Sequence, residues 1–125
     1  MRVLIVEDSD SICRMIEALV AARGYEVRSA GSGARGLEEA LAWRPSVMLL
    51  DINLPGTYDG IEVCRKLREG EETKDIPVII ITAMNDDEVR RRATDAGATA
   101  FFEKPFSPLA LLKEIEALAK RSARW

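Results

Sequence analysis

The chain has 125 residues and a net charge of −3, with 47% hydrophobic and 31% charged residues. The length fits one domain, residues 1–125, able to bury roughly two-thirds of its unfolded surface, and the composition is that of a soluble globular protein. The acidic balance argues against direct nucleic-acid binding, and no apolar run approaches the roughly 18 residues that span a bilayer.

Elements alternate along the chain. Met1 leads straight into a strand, Val3 to Val6, with no signal-peptide pattern, so a cytoplasmic protein with no membrane contact is expected. The unbroken apolar run is that of a central strand covered on both faces. Ser9, Asp10 and Ser11 are N-cap candidates for a helix with Ile12, Ile16, Leu19 and Val20 on one face, ended by Gly24. Tyr25 to Ala30 reads as a more polar edge strand. Leu37 and Leu41 mark a second helix that stops before Pro45. Val47 to Leu50 is the third strand and delivers Asp51.

A loop rich in Pro and Gly, 53–60, precedes a third helix marked by Ile61, Cys64 and Leu67. Glu69 to Asp75 reads as a solvated charged connection. Val78 to Ile81 is the fourth strand and delivers Thr82. The fourth helix carries Val89, Ala93 and Ala96 on one face, acids in its first turn and Arg90, Arg91 and Arg92 later, an order that suits the helix dipole. Ala100 to Glu103 is the fifth strand. Ser107-Pro108 opens a last helix expected to bury Leu109, Leu112, Ile115 and Ala119. The pattern is (βα)5, which predicts a parallel sheet with helices on both faces. Two cysteines, Cys13 and Cys64, fall among apolar helix residues and read as buried thiols. Histidine is absent, so no histidine phosphodonor lies within this chain.

The polar residues at the strand ends carry the chemistry. Glu7-Asp8, Asp51, Thr82, Phe101 and Lys104 each sit at or just beyond a strand terminus, and in an open parallel sheet those termini share one edge, where ligands bind. Three carboxylates, a hydroxyl and an ammonium in one crevice point to a divalent cation and a phosphoryl group. Carboxylates, a backbone carbonyl and waters suit Mg²⁺. Asp51 is a candidate carboxylate nucleophile. Phosphoryl transfer demands placement and charge neutralisation, which Mg²⁺ and Lys104 would supply.

The segments LIVED at 4–8, MLLDINLPGTYDG at 48–60, VIIITA at 78–83 and AFFEKPF at 100–106 resemble a receiver (response-regulator) domain of two-component signalling, end to end. The resemblance implies a flavodoxin-like fold with strand order 2-1-3-4-5. It also implies a switch without classical enzyme activity, beyond its own self-phosphorylation and self-dephosphorylation. Asp51 would accept a phosphoryl group from a sensor histidine kinase or a histidine phosphotransfer protein. Glu7 and Asp8 would be the acidic pair holding Mg²⁺, Asp8 the more directly, together with Asp51 and the backbone carbonyl of Asn53. Thr82 and Phe101 would be the switch pair, and Lys104 would pair with the phosphate. Ala83, Met84 and Pro105 would adjoin the site, with a cis bond between Lys104 and Pro105. The surface of the fourth helix, fifth strand and fifth helix would change partner preference, or form a homodimer, on phosphorylation.

The chain departs from the family pattern in four places. Gly56, Thr57 and Tyr58 separate Pro55 from Asp59, one residue more than usual, and leave Tyr58 either over the site entrance or exposed. Glu7 replaces the commoner aspartate, and Phe101 lacks the hydroxyl of the commoner tyrosine. Met84 has a thioether that cannot orient an attacking water, so slow self-dephosphorylation is expected. Trp43 and Trp125 are both expected far from Asp51, making tryptophan fluorescence a poor reporter of Mg²⁺. The competing readings are a receiver-like docking module that acts without phosphorylation, a Mg²⁺-dependent aspartate-nucleophile phosphatase and a flavin carrier. Asn53 stands where the phosphatase would need a second aspartate, and the acids at 7–10 would repel a flavin phosphate.

Overall fold

The computed structural model describes residues 1–83 and 86–122. Met84 and Trp125, and with them the expectations about water access and the second tryptophan, lie outside the described residues. Ten elements alternate: β1 (Arg2–Val6), α1 (Asp10–Ala21), β2 (Glu26–Ala30), α2 (Gly33–Trp43), β3 (Val47–Asp51), α3 (Gly60–Glu69), β4 (Val78–Thr82), α4 (Asp87–Asp95), β5 (Ala100–Glu103) and α5 (Pro108–Ser122). The five strands form one parallel sheet in the order β2-β1-β3-β4-β5, as expected.

The apolar strands explain the layering. Successive side chains of a strand point to opposite faces. Leu4, Val6, Met48, Leu50, Val78 and Ile80 therefore pack on one side, beneath α2, α3 and α4. Val3, Ile5, Val47, Leu49, Ile79 and Ile81 pack on the other, beneath α1 and α5. Strands β3 and β4 are fully buried and β1 is buried from Val3 onward, whereas β2 is largely exposed at the edge.

Local signals set most boundaries. Ser9, the first of the three candidate caps, accepts from the Ile12 N–H at the start of α1. That helix ends at Ala21 with Ala22 as its cap, so Gly24, at φ +80°, shapes the following turn and does not itself end the helix. Asp59 and Glu62 form a reciprocal capping box on α3. Asp86 caps α4 through the Val89 N–H at 2.8 Å, and Ser107 opens α5 by accepting from the Ala110 N–H.

The expectation for Leu109 needs correction, and two other segments need detail. Leu109 is 57% exposed, and α5 buries Leu111 and Leu118 beside Leu112, Ile115 and Ala119. Leu109 lies in the first turn, beyond the reach of the sheet. Leu41 is likewise exposed on α2, which packs through Ala40 and Trp43, with Leu37 partly buried. The charged connection after α3 is solvated except at Thr73, whose buried hydroxyl donates to the Leu67 carbonyl at 2.6 Å and so satisfies the helix end.

Both cysteines are buried free thiols. Burial, reinforced by the charges of Glu7, Glu17, Asp10 and Asp8, pushes the Cys13 thiol up to about 11. Burial likewise raises Cys64. Neither is a nucleophile at neutral pH.

Candidate functional site

The crevice lies at the carboxyl ends of β1, β3, β4 and β5. Sheet order reverses between β1 and β3, because β1 connects outward to β2 while β3 leads away on the opposite side. The connections therefore diverge there and leave a gap for a ligand. Glu7 follows β1 directly and is held to the sheet by its N–H on the Ala30 carbonyl at 3.0 Å. Asp51 is the last residue of β3, paired in register with Ile81 of β4. The Lys104 N–H donates to the Thr82 carbonyl at 2.8 Å and ties the exit of β5 to the end of β4.

These backbone anchors bring the ionic groups together. Lys104 Nζ donates to Glu7 Oε1 at 2.7 Å and to Asp51 Oδ2 at 3.1 Å. Glu7 Oε2 accepts from the Ser9 N–H, and Asp51 Oδ1 accepts from the Asn53 N–H. Glu7 and Asp51 are almost wholly buried, at 3% and 4% exposure, while Asp8 is open to solvent. Burial disfavours the Lys104 charge, but hydrogen bonds and attraction from Glu7 and Asp51 outweigh it and hold its pKa above the ordinary lysine value. Lys104 is therefore an ammonium at neutral pH.

One carboxylate oxygen from each of Glu7, Asp8 and Asp51 can be chosen so that all three lie within 4.8 Å of one another. Two acids are buried, one faces water, and a single ammonium serves both buried acids. This all-oxygen donor set, open to solvent on one side, fits a hard divalent cation that keeps several waters.

The remaining predicted residues lie at or near the ends of β3, β4 and β5. Thr82 is fully buried at the end of β4. Asn53, Ala83 and Pro105 are exposed around the crevice. The Lys104-Pro105 bond is cis, as expected. Phe101 is half-buried two residues before the end of β5 and packs on the α4 side of the sheet.

Tyr58 meets neither expectation. It is half-buried with the α2/α3 cluster, and the Lys66 ammonium lies 4.9 Å from its ring centroid. A Cβ on Gly33 would come within 2.7 Å of the Tyr58 carbonyl oxygen and of a Val63 methyl. The longer loop thus presses Tyr58 against the start of α2, where only a glycine leaves room.

Two contributors escaped the sequence reading. A Cβ on Gly60 would lie 2.1 Å from the Asp51 carbonyl oxygen, and the Gly60 N–H bonds the Ile52 carbonyl at 2.9 Å. The first residue of α3 therefore supports the backbone that carries Asp51. Its signal was present as the glycine after Asp59, in a segment read only as loop. The second is Arg90, whose guanidinium sits 4.6 Å from the Phe101 centroid. In sequence Arg90 belongs to a run of three arginines, with nothing to single it out.

A parallel sheet presenting acids and an ammonium where its strand order reverses places this chain among open α/β proteins, whose ligand crevice lies beyond the strand ends. The family model for the response regulator receiver domain matches residues 3–116, and the chain belongs to that family. It is 34% identical over 123 residues to the DNA-binding dual master transcriptional regulator RpaA of Synechocystis, covering 98% of this chain and 51% of that protein. It is 36% identical over 119 residues to the response regulator PleD of Caulobacter vibrioides, covering 95% of this chain and 26% of that protein. The chain thus spans about half of the length of the first relative and about a quarter of the second. Among solved structures, the chemotaxis protein CheY4 of Vibrio cholerae aligns with a TM-score of 0.86 at 32% identity, covering 94% of this chain and 97% of that one. A CheY-like receiver domain from Methanospirillum hungatei aligns at 0.89 with 28% identity, covering 98% and 96%.

Proposed function

We propose that this chain is a phosphorylation-controlled switch in which Asp51 is the phosphoacceptor. The observation that carries the reading is the bridge from Lys104 to both Glu7 and Asp51, with Asp8 completing an acidic triad at the strand ends. A carboxylate oxygen of Asp51 attacks phosphorus. A phosphorus–oxygen bond forms as the bond to the donor's leaving group breaks. From a phosphohistidine the leaving group is imidazole, which takes up a proton; from acetyl phosphate it is acetate.

Asp8, Asp51 and the Asn53 carbonyl, with Glu7 behind them, would hold Mg²⁺, which supplies charge neutralisation for the incoming phosphoryl oxygens. Lys104 is already protonated and within reach, so its ammonium passes from the Asp51 carboxylate to the phosphoryl group with little reorganisation. The Thr82 hydroxyl, at the end of the neighbouring strand β4, would donate to a phosphoryl oxygen. Movement of Thr82 toward that group opens space that Phe101 fills, and the α4-β5-α5 surface changes its partner preference, a population shift between two conformers. The phosphodonor is a sensor histidine kinase or histidine phosphotransfer protein, and homodimerisation through α4-β5-α5 is one output.

The test is intact mass after incubation with acetyl phosphate and Mg²⁺. One phosphoryl adduct, absent without Mg²⁺ and absent in Asp51→Asn, is expected. A folded protein that gains no adduct under saturating Mg²⁺ would instead be a docking module that works unphosphorylated.

A further inference from the structure

Two of the three arginines of α4 do different things. Arg91 pairs with Glu88 at 2.7 Å. Arg90 makes no ion pair among the described residues, and its guanidinium lies over the Phe101 ring at 4.6 Å from the centroid. A cation over an aromatic face is attracted by the ring quadrupole.

Position makes this contact matter. Phe101 stands opposite Ile80 in the β4–β5 pairing, and Thr82 stands opposite Glu103. Ile80 faces the α4 side, so alternation puts Thr82 on that side too, as the diagonal neighbour of Phe101. Helix α4 covers this face with Val89 and Ala93. The Phe101 ring is half-buried at the edge of that cover, and Arg90, itself exposed, lies over its face. Because Thr82 is fully buried and Arg90 exposed, inward movement of the ring toward Thr82 would draw it away from the guanidinium. The tyrosine that is commoner at this position would have a hydroxyl to anchor it outside; Phe101 has none, and the cation supplies an anchor of different chemistry.

We propose that Arg90 holds Phe101 in its half-exposed position and thereby sets how much of the unphosphorylated protein occupies the inward conformer. Arg90 is a positioning residue: it touches neither the phosphoryl group nor the acids, and its effect passes through the ring. The inference rests on the switch reading above and deepens it. A partly exposed cation–π contact shifts a two-state ratio by about two- to fivefold. Loss of Arg90 therefore raises the inward population and speeds phosphorylation by a similar factor.

The experiment labels the phenylalanine rings with 13C. The chain has three phenylalanines, and the Phe101 signal is the one lost in Phe101→Leu. Spectra of the full chain with Mg²⁺ are recorded with and without beryllofluoride, a phosphoryl stand-in, for the natural sequence, Arg90→Gln and Arg90→Lys. The Phe101 signal should move on beryllofluoride addition. In Arg90→Gln without beryllofluoride it should already lie part of the way along that path, with Arg90→Lys between the two. Acetyl phosphate should phosphorylate Arg90→Gln about two- to fivefold faster, and this gain should vanish in the Phe101→Leu background. A beryllofluoride-dependent shift that is identical in all three proteins would overturn the role of Arg90 and leave the switch standing. A rate gain that survives in the Phe101→Leu background would do the same. A Phe101 signal that beryllofluoride leaves unmoved in the natural sequence would overturn the switch reading and this inference with it.

Discussion

Lys104 is the residue on which the ionic crevice depends. It neutralises two carboxylates that are almost wholly buried, and those groups have their other oxygens on backbone N–H donors. Replacement by methionine keeps the stem but leaves two acids facing each other without a counterion. In Mg²⁺-free buffer Lys104→Met should lower unfolding stability by about 1–3 kcal/mol, as expected when a charged hydrogen-bond partner is removed from buried groups. Saturating Mg²⁺ should recover much of that loss, because the cation takes over the neutralisation. Urea unfolding with and without Mg²⁺ measures this. An equal penalty in both buffers would mean that the cation does not enter this crevice. The role of Lys104 was legible in sequence as a lysine after the fifth strand. Its bridge to Glu7 was not, since those residues are 97 positions apart and meet only because β1, β3, β4 and β5 end on one edge.

At the scale of elements, the start of α3 and the end of β3 form one unit. Asp59 caps the helix, Glu62 returns the bond, and Gly60 packs against the Asp51 carbonyl. A methyl at Gly60 would meet backbone at 2.1 Å, so α3 or β3 must move. Gly60→Ala should destabilise the protein by about 1–3 kcal/mol, the usual range for overpacking, and should slow acetyl-phosphate labelling of Asp51 by displacing its carboxylate. Full stability together with a normal labelling rate would show that the two elements are not coupled there. The same scale explains Arg68 of α3. Its guanidinium donates to the carbonyls of Gly97, Lys74 and Ile76 at 2.7–3.0 Å, fastening α3 to the turn after α4 and to the entry of β4. Nothing in the sequence separates Arg68 from the other charged residues near it, because its partners are backbone carbonyls, which every residue type supplies.

For the molecule as a whole, a folded state that collects three acids stores repulsion that a bound cation relieves. The unfolded chain has no such site, so Mg²⁺ held by these acids, as proposed, would favour the native state and stabilise it. At a free concentration ten times the dissociation constant the gain is about 1.4 kcal/mol, which for a domain of this size raises the melting temperature by about 4–6 °C. Calorimetry should show this rise, its reversal by chelator and its reduction in Asp8→Asn, whose side chain is exposed and lies outside the core. An unchanged melting temperature at millimolar Mg²⁺ would count against a cation site. Among the described residues no helix is long and apolar enough to cross a membrane.

The sequence by itself determined the alternating elements, the two-faced burial of β1, β3 and β4, and the identities of the residues that gather at the strand ends. Apolar runs, caps and a period of two or 3.6 are local properties, and they survive whatever the chain does elsewhere. Tertiary structure alone decided which of those residues touch. It left Leu109 and Leu41 outside because α5 and α2 meet the sheet through other residues. It turned Tyr58 toward α2, made Gly60 a spacer beneath Asp51, joined Glu7 to Lys104 and laid Arg90 over Phe101. Each of these depends on distances across strands and helices far apart in sequence, set by the register of β4 on β5 and the depth at which α3 and α4 settle on the sheet. Packing of the whole core fixes those quantities, and no single segment encodes them.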